Sequence, residues 1–350
     1  MRLTRIALLG LFVLLGAAAG IYGYTVKALK PMPASVEVVQ LDIAPGTGPA
    51  EVAKQLEKSG LIRNASVFTY YLKWKKQGSK FQAGRYAMSP GITVDEIIEK
   101  LNKGQIVKEE MLRLTVPEGY TIRQIAEKIG QQFGTDAAAF MGKADEPRTL
   151  AAKAAQAIPD NPAIRHRLEG YLFPETYEWK KDVTVDEMID RMLSELDVKL
   201  GELPADWPEA SKAKEFGFHQ IMTVASLVER EVALDEERPI VAGIIYNRLT
   251  KNMNLQIDAT VQYLFDKPKE RLFEKDLQIE SPYNTYLHPG LPPGPIASPS
   301  LSSIKAALYP AETKFLFYVT KKDGSKGHLF AETYEEHQKN IAASQKMSEK

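Results

Sequence analysis

The sequence predicts an α+β protein carried behind one apolar N-terminal helix, and three observations lead there. Residues 6–26 form an uncharged run flanked by Arg2 and Arg5 on one side and Lys27 on the other. A short unit of strand, Gly turn and capped helix then recurs three times, starting at Pro45, Pro90 and Pro117. Beyond about residue 109, helical stretches alternate with irregular Gly/Pro segments, and one β-hairpin lies near the C-terminus. At 350 residues the chain can hold two domains and bury a sizeable core.

Composition narrows the chemistry. Lys plus Arg and Asp plus Glu stand at 45 each, so no global field attracts nucleic acid. The absence of cysteine removes thiolate catalysis, disulfides and cysteine metal sites together. His166, His219, His288, His328 and His337 lie far apart without HxH or HExxH spacing, so no metal or other cofactor is expected.

The apolar run is the first element. Twenty-one residues at 1.5 Å each extend about 31 Å, the thickness of a hydrocarbon core. Ala17-Ala18-Ala19 resembles a signal-peptidase site, but the run is long for a cleavable signal, which favours an uncleaved single-pass anchor. Arg2 and Arg5 place the N-terminus in the cytoplasm, although Lys27 and Lys30 weaken that asymmetry. The expected order is a cytoplasmic tail at 1–5, a transmembrane helix at 6–26, a linker at 27–36 and an extracytoplasmic body.

In the repeat, an apolar residue follows each Gly at six positions (Val52, Ile97, Ile125) and at ten (Leu56, Leu101, Ile129). Thr93 with Glu96, and Thr121 with Gln124, have capping-box spacing. Gly48-Pro49 opens a helix by another route, because proline suits the first helical position. Units of this kind look like LysM modules, which bind N-acetylglucosamine-containing glycans, so residues 37–108 are expected to form a LysM-like small α/β subdomain. A purely structural unit would carry the same pattern. Lys73, Lys75, Lys76 and Lys80 surround Trp74 and form either a solvated face or a surface for anionic polymer. The Ala-rich residues 136–157 read as helical.

Residues 168–179 crowd aromatics and acids around a Gly/Pro pair, with Tyr171 and Glu175 as candidate sugar contacts. Thr184 and Glu187 repeat the capping box. Ile221, Val224, Ala225, Val228 and Val232 then recur at helical spacing. Glu229 and Glu231 fall on opposite flanks of this stripe, and Arg230 falls opposite it. A partly buried glutamate holds its proton to higher pH and can act as an acid; a solvated helix glutamate is the plainer interpretation. A second helix should start at Asp235. Gln256 and Asp258 sit on an expected strand or loop, and Tyr283, Asn284 and Thr285 in a loop suited to polar recognition. Residues 315–319 and 327–330 form the hairpin, turning at Asp323-Gly324, and a last helix starts near Thr333.

Several of these stretches together resemble the YceG-like family of endolytic murein transglycosylases: 169–177, 225–231 (Ala-Ser-Leu-Val-Glu-Arg-Glu), 247–249, 255–258, 283–286, 290–294 and Gly327-His328. The resemblance implies a YceG-like catalytic domain over 109–350. It also implies cleavage between N-acetylmuramic acid and N-acetylglucosamine without water, leaving 1,6-anhydro ends and terminating glycan elongation. It assigns the catalytic acid to Glu229, with Gln256, Asp258, Tyr283, Asn284, Thr285, His328, Tyr171 and Glu175 as candidate substrate contacts. Peptidoglycan strands would be the substrate, the cell membrane the anchor, and peptidoglycan synthases the neighbours.

Overall fold

The computed structural model describes residues 2–107, 111–146, 152–213 and 216–347, with the side chains of 2–13 and 213 outside that description. The chain divides into two compact units, residues 1–109 and 110–350.

The first unit opens with helix α1 (Arg2–Ala28). Among the described residues no helix is long and apolar enough to cross a membrane. The anchor expected at 6–26 falls partly on residues 6–13, whose side chains lie outside the description. Strand β1 (Val39–Ile43), helices α2 (Pro49–Lys58) and α3 (Ala65–Trp74), strand β2 (Gly84–Met88) and helix α4 (Val94–Lys103) follow. β1 and β2 pair antiparallel, Val39 opposite Met88 and Ile43 opposite Gly84. Their inward residues Leu41, Ile43, Tyr86 and Met88 close over Val52, Leu56, Phe68, Leu72, Ile97 and Leu101 from the helices. Both expected start signals operate here: Pro49 occupies the first turn of α2, and Thr93 and Glu96 make a complete capping box on α4.

The second unit contains β3 (Met111–Thr115), α5 (Ile122–Phe133), α6 (Ala137–Asp145), β4 (Thr176–Lys180), α7 (Val185–Leu200), α8 (Trp207–Ala213) and α9 (Phe218–Glu231). It continues through α10 (Arg238–Thr250), α11 (Asp258–Gln262), α12 (Leu301–Leu308), β5 (Phe317–Thr320), β6 (His328–Ala331) and α13 (Tyr334–Met347). Among the described residues its sheets are two antiparallel pairs, β3 with β4 and β5 with β6, so the helices build most of the core. Thr121 and Thr184 cap α5 and α7 with Gln124 and Glu187, as their spacing predicts.

Three elements depart from the sequence expectation. The Ala-rich stretch is helical only as α6 and a 3-10 turn at Ala154–Ala157, with 147–151 outside the described residues. Asp258 begins a short helix and not a strand. Helix α9 shows no single stripe, since every residue from Ile221 to Val228 is buried. A helix apolar nearly all round is a core helix, and α9 packs against α10, α11 and α12.

Candidate active site

Burial of α9 brings its last turn, with Glu229, Arg230 and Glu231, to the edge of the core. Two residues along a helix turn the side chain by about 200°, and the two glutamates enter different surroundings. One oxygen of Glu229, Oε2, accepts from Arg238 Nη1 (3.1 Å), Ser300 N (2.9 Å), Ser300 Oγ (2.5 Å) and Ser303 Oγ (2.8 Å). Glu229 and Arg238 side chains are each 7% exposed, so this is a buried ion pair with hydroxyl support. Glu118 lies nearby, its carboxyl pushed up by burial first and by the Glu229 charge second.

Glu231 lies on the other flank. Its Oε2 accepts from Tyr318 Oη at 2.8 Å, and burial pushes its carboxyl above the usual range. The Tyr318 hydrogen bond opposes that shift, and the Asp258 charge adds to it. Glu231 lines an open cleft of about 510 Å³ together with Gln256, Asp258, Tyr286, Tyr318 and His328. Gln256 is exposed there and holds a left-handed φ of 51°, uncommon for a residue with a side chain. Tyr286 Oη donates to Asp258 Oδ1 at 2.5 Å. His328 donates from Nδ1 to Glu237 Oε2 at 2.6 Å, and its backbone N–H donates to Glu237 Oε1 at 2.9 Å. Gly327 permits this approach, because a Cβ there would stand 3.1 Å from Glu237 Oε1.

Of the sequence-derived candidates, Gln256, Asp258 and His328 therefore meet in one cleft, and the others lie outside it. Tyr283 is buried, its ring tilted at 46° against Tyr263, and accepts from Arg165 N. Asn284 donates both amide hydrogens, to Leu277 O and Ile279 O, and accepts from Tyr286 N. Thr285 Oγ1 accepts from Ile257 N and meets Thr260 Oγ1. These three residues form the loop that carries Tyr286, and Tyr286 is the member that reaches the cleft. Tyr171 is buried and donates to His219 Nδ1, whose Nε2–H is occupied by Pro293 O. Neighbouring Gly170 has φ 82°, and a Cβ there would strike Pro295 at 2.4 Å, so its Gly/Pro motif locks a turn against the proline loop. Glu175 lies 3.8 Å from Lys199 at the surface.

Sequence reasoning missed Tyr286, Tyr318 and Glu237. Tyr318 had a usable signal, because it alternates along β5 with Thr320, which pairs with His328. Glu237 had none, since 91 residues separate it from the histidine it holds.

Comparison with known proteins places the chain in a family. The YceG-like family model matches residues 41–343. The chain is 33% identical over 95% of its length to an endolytic murein transglycosylase of Streptococcus pneumoniae, and spans 63% of that protein. It is 35% identical over 91% of its length to an endolytic murein transglycosylase of Bacillus subtilis, and spans 89% of that one. A solved structure of a YceG-like protein from Listeria monocytogenes superimposes with a TM-score of 0.58 at 34% identity, covering 87% of this chain and 99% of that one. With the family model matching most of both units and relatives above 30% identity along nearly its whole length, the chain belongs to the YceG-like family.

Proposed function

We propose that this protein is an endolytic murein transglycosylase, a lyase that cuts the N-acetylmuramic acid to N-acetylglucosamine bond inside a peptidoglycan strand. The names of its relatives support that reaction class. One observation carries its mechanism: Glu231 is a desolvated carboxyl group, oriented by Tyr318 and lining an open polar cleft. Burial favours the neutral acid, so the proton is held to higher pH than on an exposed glutamate and can be donated. Glu231 protonates the leaving glycosidic oxygen, the C1–O4 bond breaks, and the C6 hydroxyl of the muramic residue attacks C1 to close a 1,6-anhydro ring, giving its proton to a base in the cleft. Asp258, Gln256 and Tyr286 offer hydrogen bonds to hold the strand.

The family resemblance points instead to Glu229. That carboxylate has its Oε2 taken up by four donors in an ion pair with Arg238 and does not line the cleft that Glu231 lines, so the geometry favours Glu231. Digestion of purified sacculi followed by mass analysis tests both assignments. Glu231→Gln should abolish anhydro products while the protein stays folded and still binds glycan. Loss confined to Glu229→Gln, with Glu231→Gln near wild-type rate, would return the acid to Glu229. A protein that bound glycan and released no fragments would be a tethered scaffold.

A hydrolytic muramidase is a second reading, favoured by Asp258. Hydrolysis calls for a second carboxylate, and Asp258 shares the cleft with Glu231. Reducing ends in place of anhydro ends would establish it. We further propose that residues 6–26 anchor the chain in the cell membrane, supported by the 27-residue helix α1 and the uncharged run. The catalytic body would then act outside the cytoplasm on strands emerging from peptidoglycan synthases, ending their elongation. The β-α-α-β order of β1, α2, α3 and β2 supports a LysM-like, glycan-binding role for 37–108.

A further inference from the structure

A transglycosylation must dispose of two protons. The leaving oxygen gains one, and the attacking C6 hydroxyl gives one up. A single carboxyl group can serve both steps only in turn, yet the cleft holds a second proton-transfer group already oriented.

His328 belongs to a carboxylate–imidazole pair. Its Nδ1–H is donated to Glu237 at 2.6 Å, and the same carboxylate takes the His328 backbone N–H. Both side chains are largely buried, at 4% and 10% exposure. With Nδ1 committed as donor, a neutral ring carries its free lone pair on Nε2, the arrangement by which a carboxylate fixes a histidine as a base. Nε2 has no protein partner among the described residues, and it is absent from the buried, unsatisfied polar atoms. It therefore meets solvent where His328 lines the cleft. The Tyr318 ring stands edge-on to the imidazole, 5.5 Å between centroids, and its hydroxyl holds Glu231. One tyrosine thus abuts both groups.

We propose that His328 is the catalytic base, receiving the C6 hydroxyl proton on Nε2 as Glu231 releases its own. The O6–C1 bond forms and the C1–O4 glycosidic bond breaks. The O6 proton passes to Nε2 and the Glu231 proton to O4, leaving imidazolium and carboxylate, which return to imidazole and acid by proton exchange with water. Glu237 is the positioning residue, fixing the tautomer and stabilising the imidazolium. This inference rests on the transglycosylase reading above.

The test uses the full chain on sacculi and on a defined glycan strand. Deleting the ring leaves Glu237 buried without its partner, so His328→Asn, which keeps an amide donor for Glu237, accompanies His328→Ala. His328→Gln keeps a polar atom near the Nε2 position without basicity. All three should lower kcat by about 100-fold or more, the usual contribution of a general base, with KM nearly unchanged. Added imidazole should raise the rate of His328→Ala saturably and leave Glu231→Gln inactive. A KM increase with kcat preserved, or His328→Gln turning over near wild-type rate, would overturn the proposal and leave His328 as a glycan contact. Reducing ends from the wild-type protein would defeat the transglycosylase reading alone. The same kcat losses would then assign His328 as the base for water.

Discussion

Glu229 and Arg238 face each other at 3.1 Å where water barely reaches, so removing either charge leaves the other buried and uncompensated. Glu229→Gln should destabilise the protein by about 3 kcal/mol for that reason, visible as a lower denaturation midpoint. Glu231→Gln should act in the opposite sense. A raised carboxyl pKa means that the folded state keeps a proton which the unfolded chain has lost, so stability falls as pH rises through the folded value. An amide removes that loss and still accepts from Tyr318, so the Glu231→Gln melting temperature at pH 7 should match or exceed wild type. Glu169 gives a second pH dependence with the same sign. Burial raises its pKa from 4.5 to about 7, opposed by the hydrogen bond it accepts from Ile122 N. Stability should decline between about pH 4.5 and 7 by roughly 3 kcal/mol and then level off. Glu169→Gln should flatten that slope in thermal melts across the range; an unchanged slope would place its origin elsewhere.

Among the elements, the loop at 283–286 behaves differently from the expectation that its polar residues touch the ligand. Asn284 spends both donors and its acceptor on backbone groups around it, so Asn284→Ala leaves two carbonyls and an N–H without partners. We expect a loss of about 2–4 kcal/mol, with activity falling in step with folding. Tyr286→Phe removes only the hydroxyl bound to Asp258 and should lower turnover at an unchanged melting temperature. If Asn284→Ala melted like wild type while losing activity, the loop would be a ligand contact after all. The capped helices were legible because a capping box is a local object: Thr, Glu or Gln three residues on, and the backbone between them. Thr184→Ala should cost about 1 kcal/mol, measured by chemical denaturation.

For the whole molecule, each unit carries its own buried core, Leu41 to Leu101 in one and Leu114 to Leu308 in the other. Among the described residues, neither core draws on residues before Leu29, which packs against the edge of the first. Removing 1–27 should therefore leave a cooperatively folding protein that releases fragments from sacculi, as checked by thermal melting and product analysis. The same protein exported freely should complement poorly in cells if the anchor sets where strands are cut; full complementation would defeat that idea. What is local or periodic is legible in the residues alone: the apolar run, the helix starts at Pro49, Thr93, Thr121 and Thr184, the turn at Gly324, and the α+β class. The sequence also placed two glutamates on opposite flanks of α9, because helical geometry depends only on spacing. Which flank opens to a cleft was decided by tertiary structure alone. That choice depends on α12 bringing Ser300 and Ser303 against Glu229, and on β5 bringing Tyr318 against Glu231, contacts spanning 71 to 87 residues of chain. Hydrogen-bond partners that distant leave no periodic trace in sequence, and burial of a charge is a property of everything packed around it.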